Sequence, residues 1–166
     1  MTVRIETIPA HVVYQAEYEV NSVADFFNEE TGENILMDLD IKMHSENPGV
    51  HVPEEPDDYN YMVHPVSEIE RSLTHVRYCD MVNKAGTDSP EGAYVFREMP
   101  EVTCAIYTYK GAFECLGTAI TKALDYVKEN GLELSGEDIR SSYIHGPWDT
   151  EDKSDYEVEI QVPVKK

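Results

Sequence analysis

The sequence predicts an α+β fold: a duplicated βαββ repeat forming an antiparallel sheet, with two main helices on one face and a ligand cleft on the other. Several segments alternate apolar and polar residues, and one segment is a clear amphipathic helix. Two halves, about 1–84 and 93–166, share the same order of elements, and Pro9 and Tyr18 recur as Pro100 and Tyr109 at one common offset. Because 166 residues suit one such unit, we expect a single domain over 1–166.

The first half begins with an extended segment, 3–20, which Pro9 breaks, and this pattern predicts one strand with a bend. Ser22 is a plausible cap for a short helix that carries Phe26 and is limited by Gly32. An acidic, proline-rich loop and two further strands follow, at 45–58, 59–65 and 73–82.

The second half repeats this order with a stronger helix. A second extended segment, 93–110, is broken at Pro100. After it, apolar residues at helical spacing predict a helix that Gly131 ends: Phe113, Leu116, Ile120, Ala123, Leu124 and Val127. Segments 141–148 and 155–164 complete the sheet as strands.

The last strand predicts where a ligand would bind. Its two faces differ, since Tyr156, Val158, Ile160 and Val162 alternate with Glu157, Glu159 and Gln161. We expect the apolar face to lie under the helices and the acidic face to share a surface with aromatic residues of neighbouring strands: Tyr107, Tyr109, Tyr143 and Trp148, with Tyr59 and Tyr61 as further candidates. A carboxylate among aromatic rings suits a lipophilic cation. The same pattern also fits a solvated strand face with ordinary cross-strand aromatic pairs.

Charge and motifs exclude several other functions. Thirteen Lys and Arg against 33 Asp and Glu give a net charge of −20, which opposes direct contact with nucleic acid or anionic membranes. This excess acid fits either the steering of cationic ligands or a high-salt habitat. The six histidines lack metal-ligand spacing and no nucleotide-binding motif occurs, so we expect neither metal nor cofactor. Three cysteines without CxxC spacing, no signal peptide and no membrane span predict a cytoplasmic protein.

The carboxy-terminal region carries the most specific motif. Residues 143–149, YIHGPWD, and 156–164, YEVEIQVPV, together with the proline, aromatic, glycine and helix pattern that starts at Met99-Pro100, resemble the GyrI-like small-molecule-binding family, which also supplies effector-binding domains of AraC-type and MerR-type multidrug regulators. The resemblance implies a twofold βαββ fold and a pocket lined by aromatics with a glutamate near its floor. It places that glutamate at Glu159 and the aromatics at Tyr107, Tyr109, Tyr143 and Trp148.

The resemblance favours a stand-alone sensor or sequestering module for hydrophobic, cationic or aromatic small molecules. Glu159 would stabilise a bound cation or, when protonated, donate to a ligand oxygen. No DNA-binding helix pair is recognised, so a regulatory role would need a partner protein, and a homodimer is also possible. A hydrolase of strained electrophilic compounds is the alternative, with Glu159 activating water and Tyr143 assisting; tetrapyrrole binding is a weaker one.

Overall fold

The computed structural model describes residues 3–20, 26, 35–53, 59–65, 75–147 and 149–165. These residues form one sheet of eight strands: β1 (Val3–Ile8), β2 (His11–Glu19), β3 (Asn60–His64), β4 (His75–Val82), β5 (Val95–Met99), β6 (Val102–Lys110), β7 (Ile139–His145) and β8 (Glu157–Pro163). The described residues include two α-helices, α1 (Ile35–Glu46) and α2 (Leu116–Glu129), and two 3-10 turns, of which Phe113–Cys115 leads directly into α2 and Lys153–Asp155 precedes β8. The predicted α+β class and antiparallel sheet are confirmed.

The prediction of one bent strand over 3–20 is wrong. The chain forms two strands there, and they do not pair: the sheet order is β1-β6-β8-β7-β3-β4-β2-β5. Pro9 separates them because it lacks the backbone N–H that a continuous ladder needs. Pro100 divides β5 from β6 in the same way, so the first strand of each half pairs with the second strand of the other half.

The connection from β1 to β2 forces the sheet to curl. These strands occupy the first and seventh positions in the sheet, which lie about 29 Å apart if the sheet is flat, at about 4.8 Å per strand. Three residue steps from Ile8 to His11 span at most about 11 Å. The sheet therefore bends until its two ends approach each other, and it encloses one of its faces.

Strand pairing has the same register in the two halves. Gln15 of β2 pairs with Cys79 and Val95, while Ile106 of β6 pairs with Gln161 and Arg4. The counterparts are β1 and β5, β2 and β6, β3 and β7, and β4 and β8. Exchanging each strand with its counterpart gives the same strand order, read from the opposite edge of the sheet. This correspondence is one of topology and register; a sequence duplication stays a prediction.

Both helices pack on one face of the sheet, called here the helix face. Its core includes Leu39 and Met43 of α1, Ile120 of α2, and Val158 and Ile160 of β8. The helix predicted after residue 111 is confirmed, and Gly131 follows its end with a φ of +72°. The predicted apolar face of the last strand is buried there, as expected.

The first helix lies elsewhere than predicted. The short helix expected near Ser22 falls outside the described residues except for Phe26. Helix α1 instead covers a segment in which no helix was predicted, and it buries Leu36, Leu39 and Met43 while leaving Met37 and Ile41 exposed. The irregular apolar pattern of α1 does not predict a helix, and packing on the sheet stabilises it.

Candidate functional site

The face opposite the two described helices is the concave face, and Glu159, Gln161, Arg140 and Tyr61 lie on it. Glu159 is in β8, where Val158 and Ile160 face the helices and Glu159 faces away from them. Neighbouring strands contribute residues in register, since Glu159 pairs with Thr108 and Ser142. Side chains from distant strands meet here because the sheet curls around this face.

A cavity of about 630 Å³ opens on the concave face beside Glu159. Strands β1, β2, β4, β6 and β8 and the loop around Pro9 all contribute to its wall: Arg4, Glu6, Thr7, Ile8, Pro9, Ala10, His11, Tyr59, Met81, Ile106, Glu159 and Gln161. The lining combines an apolar surface with a few polar groups, which is typical of small-molecule sites. We call it the Glu159 cavity.

Glu159 forms an ion pair with Arg4. The Nη2 atom of Arg4 donates to Oε2 of Glu159 at 2.8 Å, and Nε of Arg4 donates to Oε2 of Glu6 at 3.0 Å. The Arg4 side chain is 47% exposed and that of Glu159 is 24% exposed. An ion pair this open to water contributes about 0–1 kcal/mol. The pair can therefore open at small cost.

Tyr59 and His11 form the aromatic wall of the Glu159 cavity, and Tyr61 packs against both of them. The rings of Tyr59 and Tyr61 lie 4.5 Å apart, and the Tyr59 hydroxyl donates to Oε1 of Gln161 at 2.5 Å. His11 packs edge-on against both rings. Its Nδ1 lies 2.9 Å from the Pro9 carbonyl, which can only accept, so the neutral ring accepts from the Tyr61 hydroxyl at Nε2, 2.8 Å away. Burial lowers the pKa of His11 and favours this neutral form.

Three of the four aromatics predicted beside Glu159 are not brought together with it. Tyr107 pairs with Ile160, Tyr109 with Val158, and Tyr143 with Val158, so all three share the helix face. Tyr107 is fully buried, and burial raises its pKa to about 12. Trp148 lies outside the described residues.

The other two tyrosines have local partners of their own. The Tyr109 hydroxyl donates to the Ala112 carbonyl at 2.7 Å, across the turn at Gly111. Gly111 has a φ of +142°, and a Cβ there would approach the Tyr109 hydroxyl to 2.7 Å, so the turn requires glycine. Tyr143 packs against Phe113 at 5.3 Å and hydrogen-bonds with Ser141. The predicted pairing of Tyr143 with Glu159 in catalysis therefore has no geometric support.

Sequence periodicity did not predict that Tyr107 and Tyr109 lie on the helix face, because β6 is apolar on both faces. Val102, Cys104 and Ile106 of β6 are buried on the concave face, while Ala105 and Tyr107 are buried on the helix face. Alternation alone then gives no reason to choose a face. Tyr59 and Tyr61, named as further candidates, lie on the same face of the sheet as Glu159. Tyr61 was recognisable because it alternates with Met62, a residue of the helix-side core.

The described part of the chain offers neither a metal-binding cluster nor a membrane-spanning helix. No group of three or more His, Cys, Asp or Glu side chains in it could hold a metal ion. No described helix has the length and apolar character of a membrane span. Cys79 and Cys104 are buried on the concave face, and burial raises the pKa of each thiol to about 11.

A family comparison identifies the fold and its general role. The model of the GyrI-like small molecule binding domain matches residues 47–165. The chain belongs to this family. No curated protein sequence matches the chain. Membership confirms the predicted resemblance and establishes a small-molecule binding domain, while the ligand remains to be proposed.

Solved structures agree with the GyrI-like assignment. The C-terminal domain of EcmrR superposes with a TM-score of 0.80 at 24% identity, covering 99% of this chain and 98% of that one. In the EcmrR–DNA complex the match covers 57% of the EcmrR chain. SAV2435 bound to tetraphenylphosphonium has a TM-score of 0.57 at 14% identity, covering 99% and 94%. A hydrolase from Listeria innocua has a TM-score of 0.58 at 10% identity, covering 98% and 91%. At these identities the likeness establishes the fold alone.

Proposed function

We propose that this GyrI-like domain binds hydrophobic cationic or aromatic small molecules in the Glu159 cavity and acts as a sensor or sequestering module. One observation carries the proposal: Glu159 lines a cavity whose other walls are mostly apolar or aromatic. Its volume of about 630 Å³ lies within the range of about 300–1,000 Å³ that is typical of drug-sized ligands. SAV2435, a structural neighbour, is described bound to the lipophilic cation tetraphenylphosphonium.

The carboxylate of Glu159 supplies the charge selectivity. In the structure this carboxylate interacts with a cation of the protein itself, the Arg4 guanidinium. A bound cation would take the place of Arg4 beside Glu159. Arg4 would keep its ion pair with Glu6, so the Arg4 charge would not be left unpaired. Arg4 thus competes with the ligand.

Titration with tetraphenylphosphonium and the neutral triphenylphosphine oxide tests this proposal. Wild type should prefer the cation, and Glu159→Gln should weaken cation binding about tenfold or more, since a charge-assisted contact of about 1.4 kcal/mol or more is lost. Arg4→Gln should strengthen it severalfold by removing the competitor. Isothermal titration calorimetry measures all three affinities.

Glu157→Gln is the matched control. Glu157 lies two residues before Glu159 on the same face of β8 but outside the cavity lining. This variant should bind the cation as wild type does. Equal cation affinities for wild type and Glu159→Gln would contradict the proposal, as would equal losses in both glutamate variants.

The hydrolase alternative is tested in the same samples. The neighbour from Listeria innocua is named a hydrolase, but its likeness shows only the fold. Mass spectrometry after incubation with an epoxide such as styrene oxide detects hydrolysis. Diol formation that Glu159→Gln abolishes would replace the binding proposal with an enzymatic one, in which Tyr59 rather than Tyr143 is the tyrosine of the Glu159 cavity.

A regulatory role would require a partner. EcmrR is described in complex with DNA, and this chain matches 57% of that protein. With a net charge of −20, the chain repels the DNA backbone. We therefore propose that any effect on transcription passes through a protein partner or a homodimer. Cross-linking with and without tetraphenylphosphonium would detect a ligand-dependent association.

A further inference from the structure

A second cavity on the concave face corresponds to the Glu159 cavity in the other half of the sheet. Its volume is about 280 Å³, and it is lined by Val63, Arg77, Arg97, Met99, Pro100, Gly136, Glu137, Asp138, Arg140 and Pro163. The strand register relates the two cavities. Arg77 of β4 pairs with Glu17 of β2 and Val63 of β3, and Glu159 of β8 pairs in the same way with Thr108 of β6 and Ser142 of β7. Arg77 and Glu159 therefore occupy corresponding positions in the two halves. Pro100 likewise corresponds to Pro9.

The charges of the two cavities are inverted at corresponding positions. Arg77 occupies the position that corresponds to Glu159 of the first cavity. Arg97 of β5 corresponds to Glu6 of β1, because Arg97 pairs with Val13 of β2 and Glu6 pairs with the corresponding residue of β6, Cys104. The whole sequence contains five arginines, and four of them lie on the concave face: Arg4, Arg77, Arg97 and Arg140. Three of these four line the second cavity, which is a marked concentration in a chain of net charge −20.

Arg140 is the most buried of the charged residues that line the second cavity. It is 5% exposed, its guanidinium carbon lies 4.8 Å from the centre of the Tyr61 ring, and it interacts with the Tyr59 hydroxyl. Among the described residues its Nη1 atom has no hydrogen-bond partner. A buried guanidinium nitrogen without an acceptor is costly, so an acceptor supplied by a ligand would be favourable.

The remaining charges leave the cavity with a net positive charge. Asp138 pairs with Arg77, and Glu137 stands on the exposed rim. Arg97 donates to Oε1 of Gln15 at 3.1 Å, and no described carboxylate forms an ion pair with Arg97 or Arg140. Three guanidinium groups against two carboxylates give a balance of about one positive charge, which suits a single anionic group.

We propose that this second cavity, the Arg140 cavity, binds a small apolar carboxylate. The carboxylate would lie between the guanidinium groups of Arg97 and Arg140, and its apolar part would contact Val63, Met99 and Pro163. The volume of about 280 Å³ is at the small end for ligand sites and suits a one-ring acid such as benzoate. The inference goes beyond the proposed cation site, and neither site requires the other.

Binding of benzoate, followed by two-dimensional amide NMR, tests the proposal with benzamide as the neutral analogue. Benzoate should shift amides of β5 and β7 and bind at least about tenfold more tightly than benzamide. Arg97→Gln should weaken benzoate binding about fivefold or more. Because Arg97 is exposed, this variant keeps the fold, and Arg140→Gln is the second variant, with its fold checked by circular dichroism.

Arg4→Gln is the matched control, since it removes an arginine from the Glu159 cavity instead. It should leave benzoate affinity unchanged. Benzoate binding that is lost in Arg4→Gln but kept in Arg97→Gln, equal affinity for benzamide, or no binding at millimolar concentration would each overturn the proposal. Tetraphenylphosphonium titration of Glu159→Gln reports on the other cavity, so failure of one proposal is distinguishable from failure of the other.

Discussion

Tyrosine occurs on both faces of the sheet, in different surroundings. On the helix face, Tyr107 is fully buried, its hydroxyl has no hydrogen-bond partner among the described residues, and its ring packs edge-on against Tyr126 at 5.3 Å. On the concave face, the hydroxyls of Tyr59 and Tyr61 contact Gln161 and His11, and the Tyr61 ring lies beside the Arg140 guanidinium.

This contrast separates residues that stabilise the fold from residues that can bind a ligand. Both faces are rich in aromatics, but the helices seal one of them, while the other keeps charged groups and two cavities. A predicted binding residue therefore needs the correct strand face as well as the correct chemistry.

The largest expected difference between the faces is in stability. Tyr107→Ala should lower the free energy of unfolding by about 3–5 kcal/mol, because it leaves a cavity under the helices. Tyr59→Ala should cost about 2 kcal/mol or less and instead weaken binding of tetraphenylphosphonium. Urea denaturation gives both stabilities. Similar losses in the two variants would mean that the concave face contributes to the core as much as the helix face does.

The pH dependence of stability should have opposite signs at two histidines. Burial lowers the pKa of His11, so its stabilising contribution is complete above the unfolded value of about 6.5 and is lost as the pH falls toward the folded pKa. The Asp149 carboxylate accepts a hydrogen bond from the His145 ring and raises the pKa of His145, so the stabilising contribution of His145 is present below about pH 6.5 and is lost as the pH rises through the folded pKa.

Urea midpoints of His11→Gln and His145→Gln between about pH 5 and 8 measure these slopes. His11→Gln should remove part of the destabilisation that wild type shows on acidification, since a protonated His11 can no longer accept from Tyr61. His145→Gln should leave that acid-side loss in place. A wild-type acid-side slope that survives in His11→Gln would show that other groups cause it.

The smallest expected effect comes from a single hydroxyl. Tyr107→Phe should leave the protein as stable as wild type or stabilise it by up to about 2 kcal/mol, because it removes a buried polar atom that has no described partner. The same change at Tyr61 removes the hydrogen bond to His11 and should be destabilising by about 1 kcal/mol. Thermal denaturation of the pair compares them, and a clear loss in Tyr107→Phe would indicate an unrecognised partner for that hydroxyl.

Much of the fold could be predicted from local patterns. The helix after residue 111, the strands near 60–64, 75–82, 139–145 and 157–163, and the division of β8 into an apolar and an acidic face all follow from periodicity. Helix α1 was missed because its apolar positions are irregular and its neighbourhood is acidic. The aromatic partners of Glu159 were assigned to the wrong face at Tyr107, Tyr109 and Tyr143 because β6 has no polar face.

The sequence by itself determined the fold class, the family, the breaks at Pro9 and Pro100 and the direction of Glu159 relative to Val158, since these depend on residues adjacent in the chain. Only the tertiary structure decided that β1 pairs with β6, that Arg4 contacts Glu159 and that three arginines meet in the second cavity. Those contacts join residues separated by up to 155 positions, and they arise from strand register and the curl of the sheet, which no local pattern specifies.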